Sequence, residues 1–151
     1  MNLFLGFLFI LLDVPITVGS AVIGLLPDFI GYLLIRKALE ERDDVWRHGA
    51  FALLLVSVVL FAADLVAKGT MGTLIFGGVA LAADLVMLLM LRHVTVKDAR
   101  LWMLLPVLAC VHILAVLLSW VPVVGTVCRI ADLLVSLCFL AAAYPYWMQK
   151  Q

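Results

Sequence analysis

The sequence has few charged side chains, and it lacks the polar stretches that cover the surface of a soluble protein. Of its 151 residues, 13% are charged and 67% are hydrophobic, with a mean hydropathy of +1.26. A soluble domain has about 25% charged and about 45–50% apolar residues. The composition therefore excludes an ordinary soluble domain and predicts a protein whose solvent is a lipid bilayer.

Other absences exclude further classes of protein. The formal net charge is zero and no basic stripe is present, so nucleic acid has no electrostatic footprint to bind. The cysteines Cys110, Cys128 and Cys138 lie in apolar segments without a C-x-x-C pattern, which favours buried free thiols over a metal site. No H-E-x-x-H, P-loop or G-x-S-x-G motif occurs. We accordingly predict no cofactor, no metal site and no catalytic residue.

Long apolar runs are what the sequence does contain. A helix needs roughly 20 apolar residues to cross about 30 Å of hydrocarbon. Four segments meet this length, at about 49–67, 70–91, 101–121 and 123–147. A further apolar region, 3–35, is broken by Asp13, Pro15 and Pro27, and we interpret it as short helices at about 3–12 and 27–40, joined by a non-helical or re-entrant stretch. These segments predict an all-α polytopic transmembrane helix bundle of five to six membrane segments in a single domain, 1–151.

Lysine and arginine positions predict the orientation of this bundle. Basic residues concentrate in the connections 36–47 and 92–100 and at Lys150, so those regions are expected in the cytoplasm. The connections 68–72 and 120–125 hold a single lysine and are expected outside. The C-terminus is then cytoplasmic, and so is the N-terminus if the first region crosses twice.

Ionisable groups inside the apolar segments are the candidate binding residues. A charge near the bilayer centre costs at least about 2.5–3.5 kcal/mol and usually faces a cavity or a partner. Most of these groups are acidic and fall in the outer half of the predicted bundle, so they predict an acidic pocket for a small cationic or polar solute. They are Asp13, Asp28, Asp64, Asp84, His112, Arg129 and Asp132.

Local spacing offers some of these groups a structural partner. Arg129 and Asp132 are three residues apart, and Asp64 and Lys68 are four apart, which places each pair on one helix face. Each of these residues could form a structural ion pair or could belong to a binding site.

Asp84 has no local cation and must find a partner on another helix, stay protonated or meet a ligand. His112 could be its partner in a proton relay, or could instead bond to a backbone carbonyl.

Asp28 has two interpretations. Pro27-Asp28 is typical of the first turn of a helix, where a carboxylate satisfies free backbone amides. Gly24 and Gly31 would then allow close packing against a neighbouring helix. Alternatively, the helix N-terminus and the broken backbone before it form part of a substrate site, as in transporters with discontinuous helices.

The segment IGLLPDFIGYLLI, at 23–35, with Asp13 upstream, resembles a group of small multi-pass membrane proteins from bacteria, commonly of the Firmicutes type, that have no assigned function. The resemblance covers about 5–39. It implies a bacterial plasma membrane and supplies no binding or catalytic residues.

Three function classes follow from the residues. The first is a small-solute or ion carrier, or its substrate-binding membrane subunit; the predicted helix count is similar to that of the substrate-binding subunits of energy-coupling-factor vitamin transporters. The second is a non-catalytic assembly or regulatory subunit, packed against a protein partner or a second copy through small residues at Ala62-Ala63, Gly77-Gly78 and 141–143.

The third class is an intramembrane aspartyl hydrolase. The stretch FAADLV, at 61–66, is similar to the aspartate-bearing stretch of lipoprotein signal peptidase. That family pairs its aspartates with asparagines, however, and Asn2 is the one asparagine in this chain. We favour the carrier over the assembly subunit, and both over the hydrolase.

Overall fold

A computed structural model describes residues 2–12, 15–18, 21–24, 28–41, 44–66, 70–95, 98–118 and 121–148, without the side chains of 15–18, 21–24, 64–66, 70–75, 122 and 148. Within these ranges the chain forms six helices and one two-stranded β-sheet. In order, the elements are α1 Asn2–Leu11, β1 Pro15–Val18, β2 Ala21–Gly24, α2 Asp28–Glu40, α3 Arg47–Val66, α4 Thr70–Thr95, α5 Ala99–Leu117 and α6 Pro122–Met148.

The contacts group the chain into two compact units, residues 2–87 and 88–151, which divide within α4. The first unit contains α1, the β-hairpin, α2, α3 and most of α4. The second contains the end of α4 together with α5 and α6.

In the first unit, α1 and α2 pack with their backbones almost touching. A Cβ atom added to Gly31 would lie 2.7 Å from the carbonyl oxygen of Gly6, so neither position accepts a side chain without a shift. Ile10 lies beside Gly31 while Ile35 lies beside Gly6, which makes the two helices antiparallel. Small residues permit this approach, as they do between membrane helices generally. The expected role for Gly31 in close packing is confirmed, with Gly6 as its counterpart.

A β-hairpin connects these two helices where the sequence predicts a non-helical stretch. β1 and β2 are antiparallel, with Pro15 opposite Gly24 and Val18 opposite Ala21. The hairpin pairs backbone groups that would otherwise be costly in an apolar setting. The predicted short helices at 3–12 and 27–40 are present as α1 and α2, and α2 begins at Asp28, as the helix-start interpretation expects.

Aromatic side chains join α2 to α3. The rings of Phe29 and Phe61 meet edge to face with centroids 5.7 Å apart. Further along, the guanidinium of Arg36 lies 4.5 Å from the centroid of the Phe51 ring. These contacts make α3 antiparallel to α2, and the cation over an aromatic ring is worth about 0.5–1 kcal/mol at an exposed site.

In the second unit, a side-chain cap begins α5. The Asp98 carboxylate accepts hydrogen bonds from the backbone amides of Arg100, at 2.8 Å, and Leu101, at 3.2 Å. Beside this helix start, the Arg92 guanidinium lies 5.0 Å from the centroid of the Trp102 ring. Both contacts lie at the N-terminal end of α5, which is the end farther from His112. α5 then packs along α6.

Among the described residues, three helices are long and apolar enough to cross a membrane, at Phe76–Thr95, Ala99–Leu117 and Val123–Trp147. Their outward surfaces carry large apolar side chains such as Leu89, Met103 and Val127. Such surfaces suit lipid contact, and these helices indicate a membrane protein. Shorter apolar helices occur at Asn2–Leu11 and Arg47–Ala63.

Candidate functional site

The best-defined polar contact inside an apolar helix pair joins His112 on α5 to Asp132 on α6. Nδ1 of the imidazole lies 3.0 Å from Oδ2 of the carboxylate, and the two side chains are 17% and 19% exposed. When Asp132 is ionised its carboxylate only accepts hydrogen bonds, and N–H at Nδ1 of His112 is then the donor to Oδ2. Asp132 stands nine residues after Val123, about 14 Å along the helix, well inside the span.

Two oxygen atoms on one face of α6 are buried without a hydrogen-bond partner. They are Oδ1 of Asp132 and the hydroxyl of Ser136, and both are buried. Ser136 follows Asp132 by four residues, so the two side chains share one face of the helix. The exposed fraction of Ser136 is 0%. A buried polar group without a partner costs about 1–3 kcal/mol, so this pair of oxygens calls for a ligand or a water molecule.

Other buried hydroxyls in the chain show how a helix normally satisfies such groups. Ser57 donates to the carbonyl oxygen of Leu54 at 2.9 Å, and Thr95 donates to that of Leu91 at 2.8 Å. Serine and threonine commonly bond back to their own helix in this way. Ser136 does not, which distinguishes it from Ser57 and Thr95.

The expected ion pair between Arg129 and Asp132 is not found among the described residues. Arg129 is exposed, and the carboxylate of Asp132 is bonded to His112 instead. Arg129 lies six residues after Val123, near one end of the span, where its long side chain can extend toward the lipid headgroups, which costs less than burying it against one carboxylate. The imidazole of His112 contacts Asp132 on α6, and its pairing with Asp84 stays a prediction.

Tyr32, in the first unit, lies within electrostatic range of two predicted site residues, Asp28 and Asp84. Tyr32 lies one turn after Asp28 on α2 and is 3% exposed. The carboxylates of Asp28 and of Asp84 on α4 both interact electrostatically with the Tyr32 hydroxyl. We call these three residues, with carboxylates from two helices and one buried phenol, the second acidic centre. Asp28 and Asp84 are themselves half-buried.

Two predicted site residues cannot be placed in either centre. Asp13 lies outside the described residues, and Asp64 lies on α3 where the side chains are not described. The proposed partner of Asp64, Lys68, is likewise outside the described ranges.

The three cysteines are free thiols. Cys110 and Cys138 are exposed on apolar helices rather than buried as the sequence suggested. In the described part of the chain, no group of three His, Cys, Asp or Glu side chains is arranged to hold a metal ion.

Comparisons of the chain with protein-family models, with curated proteins and with solved structures find no match. The resemblance of residues 23–35 to small bacterial membrane proteins stays a prediction.

Sequence reasoning missed Ser136 and Tyr32. Neither residue is ionised near neutral pH, so a search for charged groups in apolar segments passes over both. The spacing of Ser136 four residues after Asp132 was the available signal, because it places a hydroxyl on the face of the carboxylate.

Proposed function

We propose that this protein is a small-solute or ion carrier, or the substrate-binding membrane subunit of one, and that it binds its ligand at the Asp132 carboxylate. The proposal places it in a bacterial cell membrane as a multi-pass protein of five to six segments. Its C-terminus and N-terminus are cytoplasmic in this topology, and the binding site lies in the outer half of the helices.

The observation that carries this proposal is the pair of buried, unpartnered oxygens at Asp132 and Ser136. A purely structural ion pair tends to satisfy every polar atom, because an unsatisfied one in an apolar setting is costly. A binding site instead keeps acceptors available for its ligand. His112 supports this role by fixing Oδ2 of Asp132, which leaves Oδ1 in a defined direction.

Asp28, Tyr32 and Asp84 add a second acidic centre that a carrier of cationic or polar solutes could use. The carboxylates come from α2 and α4, and both lie within electrostatic range of the buried Tyr32 side chain. In carriers with discontinuous helices, polar protein groups and helix N-termini near a break in the chain form part of the substrate site. Asp28, at the first residue of α2, fits that pattern.

A ligand screen by thermal unfolding in detergent tests the proposal. The purified protein, Asp132→Asn and Arg129→Gln are unfolded in the presence of small cations, amines, amino acids and vitamins. We expect at least one solute to raise the midpoint of the wild type and of Arg129→Gln, and to leave Asp132→Asn unchanged. The Arg129 variant is the matched control because this residue lies on the same helix and is exposed. Equal shifts in all three proteins would contradict the proposal.

A second candidate function is an assembly or regulatory subunit. Gly77 and Gly78 on α4 favour it, because both are exposed and a Cβ atom added to either would meet nothing within 4 Å. Adjacent exposed glycines would let another transmembrane helix approach closely. Gly77→Leu should then break a complex seen on native gels while leaving solute-induced shifts intact. A hydrolase has no comparable support in these contacts.

A further inference from the structure

We infer that Oδ1 of Asp132 and Oγ of Ser136 bind one monovalent cation of the alkali or ammonium class. This inference rests on the proposed function and names the class of ligand that the site takes.

Geometry limits the ligand to something small. Residues four apart on a helix have Cβ atoms about 5–6 Å from each other, so an ion or a single small group can touch both side chains. Asp132 and Ser136 stand in this relation on α6, and Ser136 is fully buried. A larger solute would contact this pair of oxygens only through one charged or donor group.

Chemistry limits the ligand to a cation or a hydrogen-bond donor. A carboxylate oxygen is acceptor only, and a serine hydroxyl can accept as well as donate. Hard oxygen ligands of this kind suit alkali cations, and an ammonium group can donate to both. An anion would bring a second negative charge next to Asp132, which an apolar span disfavours strongly.

Charge selects a monovalent ion. Asp132 contributes one negative charge, and His112 serves it as a hydrogen-bond donor through Nδ1. Arg129 is exposed and does not pair with this carboxylate in the described chain. With His112 neutral, one positive charge balances the site, whereas a divalent ion would leave an excess charge inside the helix pair.

His112 is a positioning residue in this account. It bonds Oδ2 at 3.0 Å and thereby turns Oδ1 toward the ion. It does not contact the ion itself. A variant at His112 should therefore weaken binding by loosening the carboxylate, while keeping the order of preference among cations.

Thermal unfolding in detergent at fixed pH and ionic strength tests the inference, with the chlorides of lithium, sodium, potassium and ammonium compared against choline chloride. We expect one of the small cations to raise the wild-type midpoint saturably. Ser136→Ala should raise its apparent Kd about tenfold, and Asp132→Asn should abolish the effect.

Ser57→Ala is the matched control, because Ser57 is a buried hydroxyl already bonded to its own helix. It should keep the wild-type Kd. If Asp132→Asn fails to fold, the comparison of Ser136→Ala with Ser57→Ala still decides the matter. Equal cation responses in these two serine variants would overturn the inference.

Failure of the inference is distinguishable from failure of the proposed function. A wild type that responds alike to all salts and to choline overturns the cation assignment and indicates water at the two oxygens. If the solute screen still finds a ligand that depends on Asp132, the carrier proposal stands without it. If neither experiment finds a ligand whose binding depends on Asp132, both the cation inference and the carrier proposal are refuted.

Discussion

Nδ1 of His112 lies 3.0 Å from Oδ2 of Asp132, and this contact joins α5 to α6 across 20 residues of sequence. Arg129 is only one turn away from Asp132 and yet lies exposed. The direction of the carboxylate is thus set by a cross-helix hydrogen bond rather than by a local ion pair. This relationship leaves Oδ1 available beside Ser136, and the functional account depends on it.

The first prediction concerns the energy of this contact. Asp132→Asn and His112→Ala should each lower the free energy of unfolding. The loss in the double variant should be smaller than the sum of the two single losses by about 1 kcal/mol, in the range measured for hydrogen bonds between membrane helices. Reversible unfolding in mixed micelles measures the coupling. Arg129→Gln combined with Asp132→Asn should show a coupling near zero. A coupling as large for Arg129 as for His112 would show that the local ion pair forms after all.

The second prediction concerns the packing of α1 on α2. Gly31→Ala should lower the free energy of unfolding by about 1–3 kcal/mol, because the new Cβ atom would lie 2.7 Å from the Gly6 carbonyl oxygen and from the Ile10 side chain. The matched control is Gly77→Ala, where the added atom meets nothing within 4 Å and alanine favours the helix by about 1 kcal/mol. A destabilisation of equal size at both sites would contradict the close approach.

The third prediction concerns the start of α5. Asp98→Ala should lower the free energy of unfolding by about 1 kcal/mol, because the amides of Arg100 and Leu101 lose their acceptor. Asp98→Ser should recover most of this loss, since serine also caps helices. Amide hydrogen exchange in the first turn of α5 should rise in the alanine variant and not in the serine variant. Unchanged exchange in the alanine variant would mean that the cap does not stabilise this turn.

The fourth prediction concerns orientation. Reporter fusions after Lys97 and at the C-terminus should be active only with a cytoplasmic reporter such as green fluorescent protein. A fusion between α3 and α4 should be active with periplasmic alkaline phosphatase, because that connection carries few basic residues. The reverse pattern would refute the proposed topology.

The helices follow closely from the sequence. Apolar runs at 101–121 and 123–147 correspond to Ala99–Leu117 and Pro122–Met148, and the run at 49–67 corresponds to Arg47–Val66. Length and hydropathy determine these elements, because an apolar setting leaves a backbone no better way to satisfy its hydrogen bonds. The hairpin between α1 and α2 was predicted only as a break, since proline and glycine interrupt a helix without specifying what replaces it.

The site was harder to predict because its contacts are tertiary. The spacing rule that pairs Arg129 with Asp132 applies only to neighbours on the same helix. It therefore could not predict the contact with His112, which lies on another helix. Ser136 carries no charge, so only the packing of α6 against α5 reveals that its hydroxyl is buried and unpartnered. The electrostatic proximity of Asp28 and Asp84 to Tyr32 also depends on the fold and could not be predicted from spacing in the sequence.

Flux into lipid vesicles tests the central claim most directly. Vesicles containing the wild type, Asp132→Asn or Arg129→Gln are supplied with radiolabelled sodium, rubidium or methylammonium, and uptake is compared with that of protein-free vesicles. The account predicts uptake of at least one of these cations by the wild type and by Arg129→Gln, with Asp132→Asn at the level of empty vesicles. Uptake by Asp132→Asn equal to that of the wild type would contradict the assignment of the site to Asp132, and no uptake by any of the proteins would contradict a carrier of these cations.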